Sequence, residues 1–260
     1  MQSKFFVYVC TILIKKKKML LDIVTKMAPD DYVGFTFFIG YMAMAAASVF
    51  FFFERGSVDA KWKLSLLVSA LITGIAAVHY GYMRDYWGAT GDSPTFFRYV
   101  DWILTVPLMC IEFYLLTKLA GAKKSLLWKL IFASTWMLVC GYIGEAFTDG
   151  STGHSVQWGV LSTIGYLYIA YTVWFGEVAQ LAENSNSDVI KKGVRALAWF
   201  VLVGWAIYPI GYMCMEGGWL SSVMAPENVD VWYNLADAIN KIGFGLVVYG
   251  IAISESKSNK

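Results

Sequence analysis

The segment FFRYVDWILTVPLMCIEFYLLTK, residues 96–118, is long and apolar enough to cross a bilayer, yet it contains two carboxyl groups, Asp101 and Glu112. Ionisable groups inside a membrane span are costly and therefore suggest a function. Thr105 and Glu112 follow Asp101 by 4 and 11 residues, which at about 100° per residue places all three on one helix face. The two carboxyl groups, about 16 Å apart along that face, fit a proton relay, although neighbouring side chains could also satisfy them.

The composition of the whole chain also indicates a membrane protein. Of its 260 residues, 58% are apolar and 15% are charged, whereas soluble domains average about 25% charged residues. The net charge of +2 indicates no nucleic-acid partner, so the expected partner is the lipid bilayer. No CxxC pair is present, which indicates neither a metal site nor a disulfide framework. We expect four buried thiols: Cys10, Cys110, Cys140 and Cys214.

Seven apolar segments have the length of a membrane span. They lie at about 33–53, 63–86, 96–118, 126–147, 156–176, 196–215 and 230–254. Open strands leave backbone groups unpaired in lipid, and a barrel shows alternating hydrophobicity instead of long apolar runs. We therefore expect an all-α membrane protein, a bundle of seven transmembrane helices, in one domain over residues 31–256.

Residues 1–30 form a separate N-terminal segment in this prediction. Phe5 to Ile14 is an apolar run of signal-peptide length, but the four lysines Lys15 to Lys18 follow it, whereas a signal peptide carries its positive charges first. Met19 is an alternative start. A signal peptide, a surface-lying segment and a tail all remain open.

Lysine and arginine are concentrated in alternate connections, which predicts the orientation of the chain. The connection between the sixth and seventh spans contains only acidic charges, which we place at Glu216, Glu227 and Asp230. We expect a multi-pass protein of the inner membrane, with the N-terminus outside and the C-terminus in the cytoplasm. The basic connections contain Arg55, Lys61, Lys63, Lys118, Lys123, Lys124, Lys129, Lys191, Lys192 and Arg195.

The last span contains the remaining charges of interest, Asp237 and Lys241, which lie one helical turn apart near its middle. They could form a buried ion pair. A desolvated lysine is also a good amine for Schiff-base formation with an aldehyde. The residues alone leave the two interpretations equal. Aromatic residues at the same depth are either ordinary core or a flat slot for a conjugated polyene: Trp102, Trp205 and Tyr208, the last beside Pro209.

Four motifs resemble those of microbial rhodopsins, and of proteorhodopsins and xanthorhodopsins in particular. They are RYVDWILTVPL (98–108), WAIYP (205–209), YNLADAINK (233–241) and HYGYMR (79–84). They occur in the family's order, and the resemblance covers residues 33 to 254. It implies a light-driven outward proton pump and not an enzyme.

The resemblance also implies roles for single residues. Lys241 would hold all-trans retinal as a protonated Schiff base. Asp101 would be the primary counterion and proton acceptor, and Asp237 the second counterion. Arg98 would lie toward the exit, and Glu112 would return a proton from the cytoplasmic side.

Further residues are assigned by the same resemblance. Thr105 would position hydrogen bonds in the site, and His79 would hydrogen-bond Asp101. Met109 occupies the position that tunes colour, where an apolar residue goes with green absorption. Gly159, in the run WGVLSTI (158–164), resembles the glycine that opens a window for a carotenoid antenna in xanthorhodopsin, although it could simply allow close helix packing.

The resemblance implies a homo-oligomer, but Phe38 stands where proteorhodopsins commonly have a tryptophan that meets the histidine of the second span in another protomer. Three alternatives use the same residues. A sensory photoreceptor would carry the same chromophore but often lacks a carboxyl at the position of Glu112. A pump for another ion carries other residues at 101, 105 and 112. A receptor for a diffusible ligand would use Lys241 only in an ion pair.

Overall fold

The computed structural model describes residue 28 and residues 30–147, 152–215, 218–223 and 226–258. In these residues the regular secondary structure is helical, with no strand. The helices are α1 Tyr32–Glu54, α2 Lys63–Thr90, α3 Thr95–Thr117, α4 Lys124–Ala146, α5 Thr152–Trp174, α6 Glu177–Glu183, α7 Asp188–Trp199, α8 Ile207–Cys214 and α9 Pro226–Ser258. Short 3₁₀ turns cover Arg55–Ser57, Ala60–Trp62 and Lys118–Ala120.

The predicted bundle of seven membrane helices is confirmed. Six described helices are long and apolar enough to span a bilayer, and the run Asp188–Cys214, which joins α7 and α8, counts as one of them. The 23-residue helix α5 is the seventh. Each helix packs against its neighbour in the chain, and α9 packs against α1 and so closes the ring.

Polarity in this bundle is reversed relative to a soluble protein. Large apolar side chains face outward, with Phe53 74% exposed and Phe132 68% exposed. Charged side chains point inward, since Asp101 and Glu112 are both 0% exposed. This distribution suits a lipid solvent outside and a polar pathway inside.

The sixth membrane helix begins earlier than predicted. We expected a span starting near residue 196, but α7 begins at Asp188. The Ser187 side chain caps it by accepting a hydrogen bond from the Ile190 amide at 3.2 Å. Residues 188–199 are amphipathic, with Ile190 and Val194 buried, so hydropathy alone missed the first two turns.

One turn of π-helix, Phe200–Gly204, lies in the middle of that sixth helix. The Trp205 amide bonds to the carbonyl of Phe200 at 2.9 Å, five residues back. Pro209 follows within α8 and has no amide hydrogen to donate. Turns of this kind are common at functional positions and are a known cause of helix kinks, and this one directly precedes Trp205.

Three cysteines, Cys110, Cys140 and Cys214, are buried free thiols as predicted. Cys10 and the apolar run Phe5 to Ile14 lie outside the described residues, as does Glu216 in the connection before α9. The end of the bundle that carries the connections α1–α2, α3–α4 and α6–α7 is called the basic end below.

Candidate functional site

Lys241 is the centre of the site. Its side chain is 2% exposed, and Nζ donates a hydrogen bond to Asp237 Oδ2 at 2.5 Å and another to Asp101 Oδ2. Asp237 lies one turn earlier on α9, whereas Asp101 comes from α3. A single buried ammonium group therefore lies between two carboxylates from different helices. With both carboxylates ionised, the three groups together carry a net charge of minus one.

The two carboxylates differ in how many donors they receive. Asp237 Oδ1 accepts from the Trp102 indole at 3.2 Å and from the Tyr208 hydroxyl at 3.0 Å, in addition to the Lys241 bond on Oδ2. Asp101 Oδ1, by contrast, is buried without a hydrogen-bond partner among the described residues. Asp101 thus has an oxygen free to take a proton, while hydrogen bonds hold Asp237 as an anion.

His79 does not make the predicted hydrogen bond to Asp101. Its Nδ1 lies 3.9 Å from Asp101 Oδ1, beyond hydrogen-bonding distance. The same nitrogen lies 2.9 Å from the carbonyl oxygen of Ile75, one turn earlier on α2. In this structure Nδ1 thus lies closer to the helix backbone than to Asp101, and the role of His79 stays a prediction. Thr105 also bonds locally, with Oγ1 donating to the Asp101 carbonyl at 2.9 Å.

Glu112 lies on the same face of α3 as Asp101, toward the basic end, and is fully buried. Neither of its carboxyl oxygens has a hydrogen-bond partner in the part of the chain that is described. The hydroxyl groups of Ser65 and Ser69 on α2 are its polar neighbours, and both serines are buried. An ionised carboxylate in such surroundings would be costly, so this environment favours a carboxyl group that carries a proton.

One cavity brings together the residues predicted to surround a chromophore. Lys241 and Asp237 lie at its polar part, and most of the remaining lining is aromatic or aliphatic. This combination of one amine and an apolar lining fits an elongated apolar aldehyde such as retinal. The predicted residues that line the cavity are Trp102, Met109, Gly159, Trp205, Tyr208, Pro209, Asp237 and Lys241.

Gly159 lies where α5 meets α8. A Cβ atom at this position would come within 2.8 Å of Tyr212 Cε1, so the glycine lets the Tyr212 ring pack closely. The Tyr212 hydroxyl donates to the Ser155 carbonyl at 2.7 Å. Gly159 also lines the cavity together with Val160, which is 51% exposed. Gly159 thus allows α5 and α8 to pack closely, and it also lies near the surface of the bundle.

Asp230 is a buried residue whose role the sequence did not predict. We expected it at the start of the seventh span, among the acidic charges of the preceding connection, but it lies within α9 and is 2% exposed. Its Oδ1 accepts from Arg98 Nη2 at 2.6 Å and from Ser93 Oγ at 2.8 Å. Arg98 also donates to Asn234 at 3.2 Å. The signal was present in the sequence, because Asp230 and Asn234 lie 11 and 7 residues before Lys241.

Asn240 was also missed. Its amide nitrogen donates to the Gly204 carbonyl at 2.9 Å and to the Tyr208 hydroxyl at 3.3 Å. Gly204 belongs to the π-turn. Asn240, which directly precedes Lys241, therefore links α9 to the π-turn of the sixth membrane helix. The motif YNLADAINK contains Asn240, but nothing in the sequence indicates a π-turn to receive it.

The chain is similar to known proteins over most of its length. Residues 31–255 match the family model described as a bacteriorhodopsin-like protein. The chain is 44% identical over 235 residues to a green-light absorbing proteorhodopsin of Gamma-proteobacterium EBAC31A08. This alignment covers 88% of this chain and 90% of that protein.

Solved structures are also similar. A blue light-absorbing proteorhodopsin from Med12 aligns with a TM-score of 0.73 at 41% identity, over 86% of this chain and 100% of that chain. Xanthorhodopsin, described as a light-driven ion pump with dual chromophore, aligns with a TM-score of 0.76 at 30% identity. The alignment covers 90% of this chain and 98% of that chain. The family match over most of the length and the helical bundle lead to one conclusion: the chain belongs to the bacteriorhodopsin-like family of multi-pass membrane proteins.

Proposed function

We propose that this chain is a light-driven outward proton pump that carries all-trans retinal on Lys241. The observation that carries the proposal is the line of buried groups from Lys241 through Asp101 to Glu112. The two carboxyl groups lie on one face of α3 and differ in surroundings, since one contacts the lysine and the other is buried without a hydrogen-bond partner among the described residues. The proteorhodopsin relatives support the same activity.

Retinal is the chromophore that the family implies, and the cavity around Lys241 suits it. The Nζ atom of Lys241 would form the covalent link, and the rings of Trp102 and Trp205 would line the polyene. When bound, retinal absorbs visible light and changes its shape, which supplies the energy for transport. Asp237, held by its several hydrogen-bond donors, would remain a fixed anion that balances the positive charge.

Proton transfer is assigned to the two carboxyl groups of α3. Asp101 would take a proton on Oδ1, the oxygen without a hydrogen bond. Glu112 would hold a proton in its apolar site and deliver it toward the Lys241 end of the cavity. The basic end is assigned to the cytoplasm by the positive-inside rule, which places the N-terminus outside. Uptake then occurs from the cytoplasm and release on the outer side.

A sensory photoreceptor is the second candidate, because it would need the same cavity and lysine. The observation against it is Glu112, a buried carboxyl that a sensor does not require. Illumination of cells that express the protein in unbuffered medium separates the two functions. A pump acidifies the medium, and a protonophore abolishes the change. A coloured protein that leaves the external pH constant in light would instead favour the sensor.

Two further parts of the proposal concern binding partners. Gly159 and the similarity to xanthorhodopsin support a carotenoid antenna at the α5–α8 surface. The family resemblance supports a homo-oligomer, with Phe38 in place of the usual tryptophan at the expected protomer boundary. In this chain Phe38 lies under the Arg84 guanidinium, with Cζ 6.0 Å from the ring centroid.

A further inference from the structure

A continuous polar stripe runs along one face of α9. Its members follow one another at intervals of four, three and four residues, which places them on one side of the helix. They are Asp230, 2% exposed, Asn234, 0%, Asp237, 2%, and Lys241, 2%. The proposed pump uses Asp237 and Lys241, so Asp230 and Asn234 remain without a role.

Both remaining residues bind Arg98. The guanidinium donates through Nη2 to Asp230 at 2.6 Å and through Nη1 to Asn234 at 3.2 Å. Ser93 fixes the same Asp230 oxygen with a bond of 2.8 Å. Asn234 is held in turn, because its Nδ2 donates to Thr36 at 3.0 Å. The two residues that bind Arg98 are thus each held in place by a further hydrogen bond.

Aromatic rings complete the enclosure of Arg98. The guanidinium carbon lies 5.1 Å from the ring centroid of Tyr233, 5.6 Å from that of Phe37 and 6.0 Å from that of Trp102. Arg98 itself is 1% exposed. Because little water reaches it, the guanidinium needs an anion nearby.

Asp230 is the anion that Arg98 has in this structure. Among the described residues, the ion pair that Arg98 forms within 4.0 Å is with Asp230, and not with Asp101 or Asp237. The cation and anion cancel, so the pair leaves little net charge beside the Lys241 site. If Asp230 lost its charge, the carboxyl groups left around the guanidinium would be Glu145 of α4 and Asp237 of α9. Asp237 lies beside Asp101 at Lys241.

We propose that Asp230 is a positioning residue: by binding Arg98 it keeps the guanidinium beyond ion-pair distance of Asp101 and Asp237, so that Lys241 is the cation that these two carboxylates bind directly. This inference rests on the proposed function, because it concerns the counterions of a retinal-bearing lysine. It assigns to Asp230 an indirect effect on Asp101, transmitted through the position of Arg98.

Charged and titratable groups from several helices surround both Arg98 and Asp101. Those around Arg98 are Tyr80 of α2, Glu145 of α4, and Asp230, Tyr233 and Asp237 of α9. Those around Asp101 are His79 and Tyr80 of α2, Tyr208 of α8, and Asp237 and Lys241 of α9. Arg98 is the cation among the first group, and Asp230 is its direct ionic partner.

The test uses the full-length protein reconstituted with all-trans retinal and follows its colour during acidification. Protonation of Asp101 removes a counterion charge and shifts absorption to the red, so the midpoint of the colour change reports on Asp101. In Asp230→Asn the guanidinium is left unpaired and favours the Asp101 carboxylate. We expect the midpoint to fall by about one pH unit, a tenfold change in proton concentration.

A double-mutant cycle separates positioning from simple loss of a charge. In the Arg98→Gln background there is no guanidinium that could move toward Asp101. Adding Asp230→Asn to Arg98→Gln should therefore shift the midpoint by less than half of the shift that Asp230→Asn causes when Arg98 is present. Equal shifts in the two backgrounds would mean that Asp230 acts only as a distant charge. An unchanged midpoint in Asp230→Asn would overturn the inference directly.

Two controls keep the test informative. Asp230→Ser also removes the charge but leaves room for water beside Arg98, so it replaces Asp230→Asn if that variant does not fold. A residue with only a structural role would reduce yield or thermal stability without moving the midpoint. If the native protein forms no pigment or shows no acid colour change, the proposed function itself fails. A native transition that the Asp230 variants leave unchanged contradicts only this inference.

Discussion

Glu112→Gln is the substitution that separates proton delivery from the rest of the site. Gln is nearly isosteric with Glu but cannot give up a proton at neutral pH. Glu112 lies 11 residues from Asp101 on α3, which corresponds to about 16 Å along the helix axis. At that distance it contacts neither Lys241 nor Asp237, so we expect the absorption maximum to stay nearly unchanged.

The kinetic effect of this substitution should be large. Both oxygens of Glu112 are buried without hydrogen bonds among the described residues, and its polar neighbours are the hydroxyl groups of Ser65 and Ser69. A serine hydroxyl is far too weak an acid to take over at neutral pH. A positioned acid or base typically accelerates proton transfer by 10²–10⁴-fold, so we expect recovery of the ground state to slow by about 10²-fold or more.

Flash photolysis in neutral buffer measures this recovery directly. Added azide, a small mobile acid, should restore much of the rate in Glu112→Gln. Glu54→Gln is the matched control, since Glu54 lies at the same end of the bundle and accepts from the Tyr249 hydroxyl at 3.0 Å. That variant should cycle normally. A normal cycle of Glu112→Gln without azide would refute the assignment of Glu112 as proton donor.

Three further predictions concern the chromophore. Lys241→Ala should be colourless after addition of retinal, whereas Lys192→Ala should colour normally; full visible absorbance in Lys241→Ala would show that the attachment site is elsewhere. Met109→Gln should shift a green absorption maximum toward blue, because Met109 is 2% exposed and lines the cavity; an unchanged spectrum would remove Met109 from colour tuning. Hydroxylated carotenoids should add bands to the excitation spectrum of retinal fluorescence, and Gly159→Trp should abolish them, since even a Cβ lies 2.8 Å from Tyr212; bands that persist would exclude a window at Gly159.

The fold was predictable because hydropathy is a strong signal in membranes. Long apolar runs have few stable arrangements in lipid, and all seven predicted spans are helices. The boundaries were harder to predict, because the first turns of α7 are amphipathic and extend beyond the apolar window. The π-turn at Phe200–Gly204 was not predictable either, since it depends on packing against α9 and on the Asn240 side chain.

The site was predictable where a charge lies inside an apolar run. Asp101, Glu112 and Lys241 stand out for that reason. Asp230 lies near the predicted end of a span, where a carboxylate usually meets water, so its burial against Arg98 could not be read from hydropathy. The contact of His79 is decided on a finer scale than hydropathy, since the distances from Nδ1 to the Ile75 carbonyl and to Asp101 differ by only about one ångström.

Light-driven proton movement in cells of matched pigment content tests the central claim most directly. The native protein and Asp101→Asn are compared in unbuffered medium, with the light adjusted to equal absorbed photons. We predict that the native protein acidifies the medium, that a protonophore abolishes this change, and that Asp101→Asn is red-shifted and gives no acidification. Acidification by Asp101→Asn at the native rate, or a coloured native protein that moves no protons, would contradict the account.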